Sequence, residues 1–398
     1  MITKRIAIAL TLVLALVSLG IAIGSSRIWS SEQIFDSYRS GKIDRQSNSE
    51  LSNYTDLSLE SDRDLDLIQF LTPDVGWVGD HYGHLFATKD AGKTWQNKEL
   101  RFPSQSGRLF FPAIYFSSRD SGWAIAQKYN PPGEDICRRN AWLLHTTDGG
   151  SNWSVLLEKK CAEVGFLSFA NESEGWLFGH QFFNGRNVTA NLLVMHTSDG
   201  GKTWTDVSEA PNSLMSDLAG RVLESPGGIV AIANRSATAI TSNGYLLDSN
   251  DGGRQWRRAG GLALHQLVPE IKSAPNASIA VTGRIGGTHG TAGMLALRDA
   301  SGKWKGTWFR DFFLGDAVFL SEREIVACGY LLPESQEELL ERKHEGAIIF
   351  SRDGGSNWTI LYKGSDGSTF NALTQTPDGK IWAVGPKGLL IKLGPPRR

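Results

Sequence analysis

The chain has 398 residues, more than one hydrophobic core of ordinary size, so length alone argues for two or three domains. Its charge is balanced, with 41 Lys+Arg against 42 Asp+Glu, and that leaves no global field to draw in nucleic acid. The 44 Gly and 13 Trp point to many tight turns and large buried rings, a β-rich composition.

In chain order, Lys4 and Arg5 precede a run from Ile6 to Gly24 that carries no charge. At 19 residues it can span a bilayer as one hydrophobic helix, and Ala22-Ile23-Gly24 before Ser25 also suits a cleavage site. Signal anchor and cleaved signal peptide both remain open for residues 1–24. In either case the basic pair keeps the N-terminus in the cytoplasm, and the chain beyond Gly24 is exported. Residues 25–62 are polar and without apolar period, so they read as a tether.

From residue 63 to the end the chain repeats itself. Five copies of Ser/Thr-x-Asp-x-Gly-x-x-Trp keep their spacing: Thr88 to Trp95 around Asp90, Thr146 to Trp153 around Asp148, Thr197 to Trp204 around Asp199, Ser249 to Trp256 around Asp251, and Ser351 to Trp358 around Asp353. An eroded copy keeps Asp299 and Trp304. Successive tryptophans stand 48 to 58 residues apart, the length of one four-stranded blade. A second marker, an apolar strand often opened by Gly-Trp, precedes each copy. It appears at Gly76-Trp77, Gly122-Trp123, Gly175-Trp176, Gly228-Ile229, Ser278-Ile279, Glu324-Ile325 and Ile381-Trp382, and each is read as the second strand of its blade.

These markers predict an all-β, seven-bladed β-propeller over residues 63–398. The last unit ends at Leu393 with three strands, and Leu51 to Leu59 is placed to add the fourth and close the ring. Each repeat motif is a turn whose Asp accepts turn amides, whose Gly tolerates positive φ and whose Trp packs on the blade. Its Asp and Trp residues are therefore structural.

The motif is the Asp box, shared by sialidases, xyloglucan-degrading hydrolases, sortilin and the photosystem II stability and assembly factors. The longer unit, Leu67-Ile68-Gln69-Phe70 to Gly76-Trp77-Val78-Gly79 to Gly83-His84-Leu85-Phe86-Ala87-Thr88-Lys89-Asp90, most resembles the assembly factors. The resemblance implies a non-catalytic propeller that binds a protein partner, a reaction-centre subunit in that family, outside the cytoplasm. A periplasmic, thylakoid-lumenal or extracellular site fits, with the N-terminal segment at the membrane. The protein is expected to act as a monomer and without a cofactor. Long insertions at Lys128 to Asn140, His180 to Asn191 and Tyr330 to Gly346, the last with a helix-like stretch Glu334 to Arg342, depart from that compact family and put its partner in doubt.

Loops joining strands two and three share a face with the connectors between blades, opposite the Asp boxes, and this is the expected binding face. Arg138, Arg139, Arg186, Arg235 and Arg284 are its candidate anchors, with Phe182, Phe183, His289 and His344 nearby. Cys137 and Cys161 flank strands three and four of blade two, so folding about the box brings them together as a disulfide. Cys328 sits in a strand-two position and reads as a buried thiol.

The rival reading is a secreted carbohydrate-active enzyme or glycan-binding module. No Arg-Ile-Pro motif of sialidases is present, and the carboxylates best placed for a glycosidase are Asp66 and Asp316, with Asp217 and Asn371 at equivalent positions. His81, His84, His145 and His196 lack the clustering of a metal site, and none is predicted.

Overall fold

The computed structural model describes residues 35–45, 54–59, 62–101, 109–130, 137, 139–182, 190–208, 226–233, 235–241, 244–261, 270–274, 278–287, 290–299, 301–333 and 344–395. The expected hydrophobic helix within residues 1–24 and the helix-like segment 334–342 lie outside them. Among the described residues every regular element is a strand.

The strands form seven sheets arranged as the predicted seven-bladed propeller. Blade one is Leu67–Phe70, Gly76–Gly79, Leu85–Thr88 and Gln96–Asn97, each antiparallel to the next. Blades two and three repeat the order with longer strands, from Leu109–Phe116 to Ser154–Lys160 and from Ala162–Phe169 to Thr205–Asp206.

Blade four departs from the sequence reading. Gly228-Ile229 lies in Pro226–Ala233, which is the first strand; the second is Ser236–Thr241, and no Gly-Trp marks it. The Gly-Gly-Ile-Val-Ala-Ile-Ala run of the first strand is apolar on both faces, the pattern that marks second strands elsewhere, whereas Ser236–Thr241 carries hydroxyl residues. Blade five runs from Glu270–Ala274 to Trp304–Phe309, blade six from Phe312–Phe319 to Asn357–Asp366. Blade seven takes Ala372–Gln375, Ile381–Val384 and Leu390–Leu393 from the C-terminus, and its fourth strand is Tyr54–Asp56.

The stretch read as a tether is partly built into the ring. Phe35–Ser40 lies parallel to Trp304–Phe309 on the outer edge of blade five, and Lys42–Asp44 lies parallel to Asn357–Asp366 on that of blade six. Between them Gly41 donates its amide to Trp308 O at 2.8 Å. Arg45 then donates to Leu332 O at 2.8 Å. One segment thus covers two exposed sheet edges before closing a third blade.

The boxes form as their residues require. In the first, Thr88 Oγ1 donates to Asp90 Oδ1 at 2.9 Å and accepts from Gly92 N at 2.9 Å, while Thr94 N donates to Asp90 Oδ1 at 2.9 Å. The other four intact boxes repeat this cage. In the third, the Thr203 hydroxyl and amide, with Thr197, hold Asp199 down at about 2. Burial raises Asp353, but the bonds from Asn357, Ser351 and Ser356 outweigh it and hold that carboxyl also at about 2. The eroded copy keeps only the carboxylate end, with Ser301 N and Lys303 N donating to Asp299.

Seven apolar clusters fill the ring, each shared by two consecutive blades rather than enclosed in one. The last joins Trp382, Val384 and Leu390 of blade seven to Phe70 and Val78 of blade one. At that seam Gly92 has φ +80°, and a Cβ there would stand 2.5 Å from the Trp382 ring. Gly92→Ala should therefore destabilise by about 2–4 kcal/mol, through left-handed strain plus overpacking. Gly367→Ala, at φ +76° with open space around it, should cost only about 1–2 kcal/mol. Denaturant unfolding of the two variants measures the difference.

Candidate protein-binding face

Strand order sorts the loops into two faces. Turns between strands one and two lie against the boxes of the same blade: Ala91 N donates to Asp74 O, Gly149 N to Asp120 O, Gly200 N to Ser173 O and Gly354 N to Arg323 O. The opposite face carries the strand two–three loops and the connectors between blades.

On that loop face, blades one to three present two groups of aromatic and charged side chains. Tyr82 and Tyr129 are about half exposed, at 50% and 46%. His81 lies 4.8 Å from the Phe110 ring and Tyr82 6.4 Å from it. Arg139 pairs with Glu163 and lies 4.9 Å over Tyr129 and 5.7 Å over Phe182. The guanidinium is held by a carboxylate and two rings, a rigid arrangement that costs little entropy on binding. Blade six adds a second stack, Phe313 on Tyr330 at 4.5 Å with His344 4.7 Å from Tyr330.

The disulfide joins Cys137 to Cys161 with their Cα atoms 4.6 Å apart. Cys161 alone connects blade two to blade three, at φ +51°, and its carbonyl accepts from Phe182 N at 2.7 Å. The bond therefore fixes the junction between the blades whose strands carry Arg139, Glu163 and Phe182. Replacing both cysteines with serine should lower stability by about 3 kcal/mol for the 24-residue separation, measured by denaturant unfolding. Cys328 is buried and takes no part in a disulfide.

The candidate arginines do not form one patch. Arg139 is on the loop face, braced by Glu163. Arg235 is on the box face, in the turn between strands one and two of blade four, where it donates to Asp251 O at 2.7 Å. Its misplacement comes from the strand count in that blade. Arg284 falls in Ser278–Gly287, opposite Gly293, toward the loop-face end. Arg138, Arg186, Phe183, His289, Asp217 and the side chain of Arg284 lie outside the described residues.

The two candidate glycosidase carboxylates serve different neighbours. Asp316 is buried, bound by Lys272 of blade five and by two amides, Ala317 N at 2.7 Å and Leu373 N of blade seven at 2.9 Å. Asn371 likewise donates to Leu65 O at 3.0 Å. Asp66 instead meets His81 Nε2 at 3.2 Å. No bond or common partner joins Asp66 to Asp316 among the described residues.

The Asp66–His81 pair escaped the sequence reading. His81 Nδ1 lies 3.0 Å from Phe111 O, and a carbonyl only accepts, so Nδ1 carries the proton and a neutral ring presents a bare Nε2. Burial, with Asp80 and Asp64 nearby, raises Asp66 to about 7, and burial lowers His81. Asp66 therefore keeps its proton at mildly acidic pH and donates it to His81. The adjacent Asp80, fully buried, accepts from His84 Nδ1 at 2.7 Å and from Tyr82 N and His84 N. The i, i+4 spacing of Asp80 and His84 after a Gly-ended strand was the available signal. His145 and His196 are on the box face, against Ser121 at 3.1 Å and Glu174 at 2.6 Å. Among the described residues no three His, Cys, Asp or Glu are grouped to hold a metal.

The raised carboxyl has a definite sign. The folded state binds this proton more tightly than the unfolded chain, so stability falls as pH rises from about 4 through about 7. Asp66→Asn, whose amide can donate to His81 in the same way, should remove that loss, gaining about 1–2 kcal/mol relative to the parent at pH 8 and little at pH 5. Urea unfolding at the two pH values tests it.

A seven-bladed ring with Asp-box turns on one face and braced aromatic side chains on the other defines an Asp-box propeller. The family model described as photosynthesis system II assembly factor YCF48 matches residues 46–163 and 136–284, and the chain belongs to that family. The photosystem II assembly lipoprotein Ycf48 of Synechococcus sp. (strain CC9902) is 24% identical over 265 residues, 63% of this chain. The match spans 66% of that relative's length, just under two thirds. In fold, the chain is similar to YCF48 bound to D1 peptide, at TM-score 0.55 and 17% identity over 85% of this chain and 94% of that one. YCF48 from Cyanidioschyzon merolae gives 0.57 and 17%, covering 85% and 98%. A GH74 xyloglucanase from Xanthomonas campestris gives 0.58 and 14%, covering 85% and 53%.

Proposed function

We propose that this propeller is a non-catalytic assembly or stability factor that works outside the cytoplasm, as a monomer held at the membrane through residues 1–24. It holds a protein subunit of a membrane or exported complex on its loop face. The observation that carries the reading is the Tyr82–Phe110–Tyr129–Arg139–Phe182 surface, because rigid aromatics and a braced Arg are what anchor protein interfaces. Family membership supports the mode of action, and a relative bound to D1 peptide shows that such a ring can take a polypeptide.

The carbohydrate-active alternative draws on the likeness to the xyloglucanase, which is a likeness of fold. Its two candidate carboxylates are each bound to different partners, Asp66 to His81 and Asp316 to Lys272.

Affinity capture from membranes tests the proposed face. The parent chain should retain a partner that Tyr82→Ala/Tyr129→Ala loses at least tenfold, about 1.4 kcal/mol or more. An unchanged partner set would place the interface elsewhere.

A further inference from the structure

The box-side end of the groove between blades four and five is a basic concavity that the loop face does not explain. It encloses about 400 Å³ and is lined by Arg257, Arg258 and Arg298 together with Asn250 and Gln255. One carboxylate, Asp248, lines it too. That group already accepts from Thr238 Oγ1 at 2.5 Å and Arg298 Nη1 at 2.8 Å. Arg258 lies 4.8 Å over the Tyr245 ring, and Arg257 is exposed. Two further exposed arginines, Arg235 and Arg254, flank the groove on turns of the same blade, beside the box carboxylate Asp251. The guanidinium groups outnumber the carboxylates, so the site favours an anion.

The path of the N-terminal segment says which anion. Arg298 is the register partner of Trp304, and Trp304 is the partner of Phe35, so one row across blade five runs from the groove to the first described residue. Two strand spacings put the Phe35 backbone about 10 Å from that of Arg298. Ten residues, 25–34, separate Phe35 from the apolar run ending at Gly24, a reach of at most about 35 Å. Phe35 pairs with Trp304, just past the eroded box, so the first described residue stands on the box-face side of the ring.

We propose that this arginine groove is a lipid-contact surface that takes the phosphate headgroups of an anionic bilayer, turning the box face of blades four and five to the membrane and the loop face away from it. The inference rests on the reading of residues 1–24 as a membrane anchor. Arginine suits the task, since its planar fork meets phosphate oxygens in pairs and is weakly hydrated.

The test uses the full chain in nanodiscs of phosphatidylcholine, with or without phosphatidylglycerol, and follows amide hydrogen exchange over Tyr245–Ser249 and Arg257–Gly261. Phosphatidylglycerol should slow exchange there several-fold, an effect that high salt reverses. Arg254→Glu/Arg257→Glu, which alters only exposed side chains, should abolish the slowing while circular dichroism and thermal unfolding stay those of the parent. The proposal is overturned by no slowing with phosphatidylglycerol, by equal slowing in phosphatidylcholine alone, or by the same slowing on neutral discs from inorganic phosphate or from poly-glutamate. The last two would reassign the groove to a free anion or an acidic polypeptide. A chain that is retained in neither kind of disc overturns the anchored reading itself, and the lipid contact with it.

Discussion

The ring depends on the joint between consecutive blades, where the second strand of one packs into the core of the next, and across blades seven, one, two and three an indole makes that joint. Trp77 lies flat on Phe116 with centroids 3.8 Å apart and donates to Gly149 O in the second blade's box at 3.3 Å. Trp123 repeats the contact against Phe169 at 4.8 Å and under Gly201. Trp382 repeats it across the seam, 4.4 Å from Phe70 and beneath Gly92. Each blade therefore completes the core of its neighbour. Among the described residues no blade encloses a core of its own, which explains why seven clusters fall between blades.

That division of labour leaves the two faces free for different work. The box face is tied to the joint, since Gly92 and Gly201 receive indoles of the preceding blades and the box carboxylates are consumed by their own turns. Loop-face residues carry no such duty, and there the chain supports exposed tyrosines, a braced arginine and a carboxyl that keeps its proton near neutrality. A strained one-residue connector at Cys161 is tolerated because a disulfide and three hydrogen bonds hold it. The same logic explains Asp316: an inner-strand carboxylate that binds an amide of the next blade and a lysine of the previous one is an inter-blade strut.

Legibility tracked locality. The Asp box is a cage of contacts within eight residues, so every intact copy could be read, and the spacing of the copies set the blade period. Cys137 and Cys161 were readable because the hairpin between them, strands three and four of one blade, folds on its own Asp-box turn. Blade four misled because its first strand carries the apolar run that marks second strands elsewhere, and Arg235 was carried to the wrong face with it. The Asp66–His81 pair was invisible for another reason: its proton position depends on the Phe111 carbonyl, a backbone group of the neighbouring blade with no side-chain signature.

The sequence by itself determined the number of blades, the chemistry of their turns and the identity of the motif-bearing face, because those arise from contacts inside one repeat. Tertiary structure alone decided how the ring is bound. Nothing in the polar composition of residues 25–62 marks Phe35–Ser40 and Lys42–Asp44 as strands, since edge pairing uses backbone groups that every residue carries. It also decided which charges share a surface, for Arg257, Arg258 and Arg298 converge only when blade five packs against blade four.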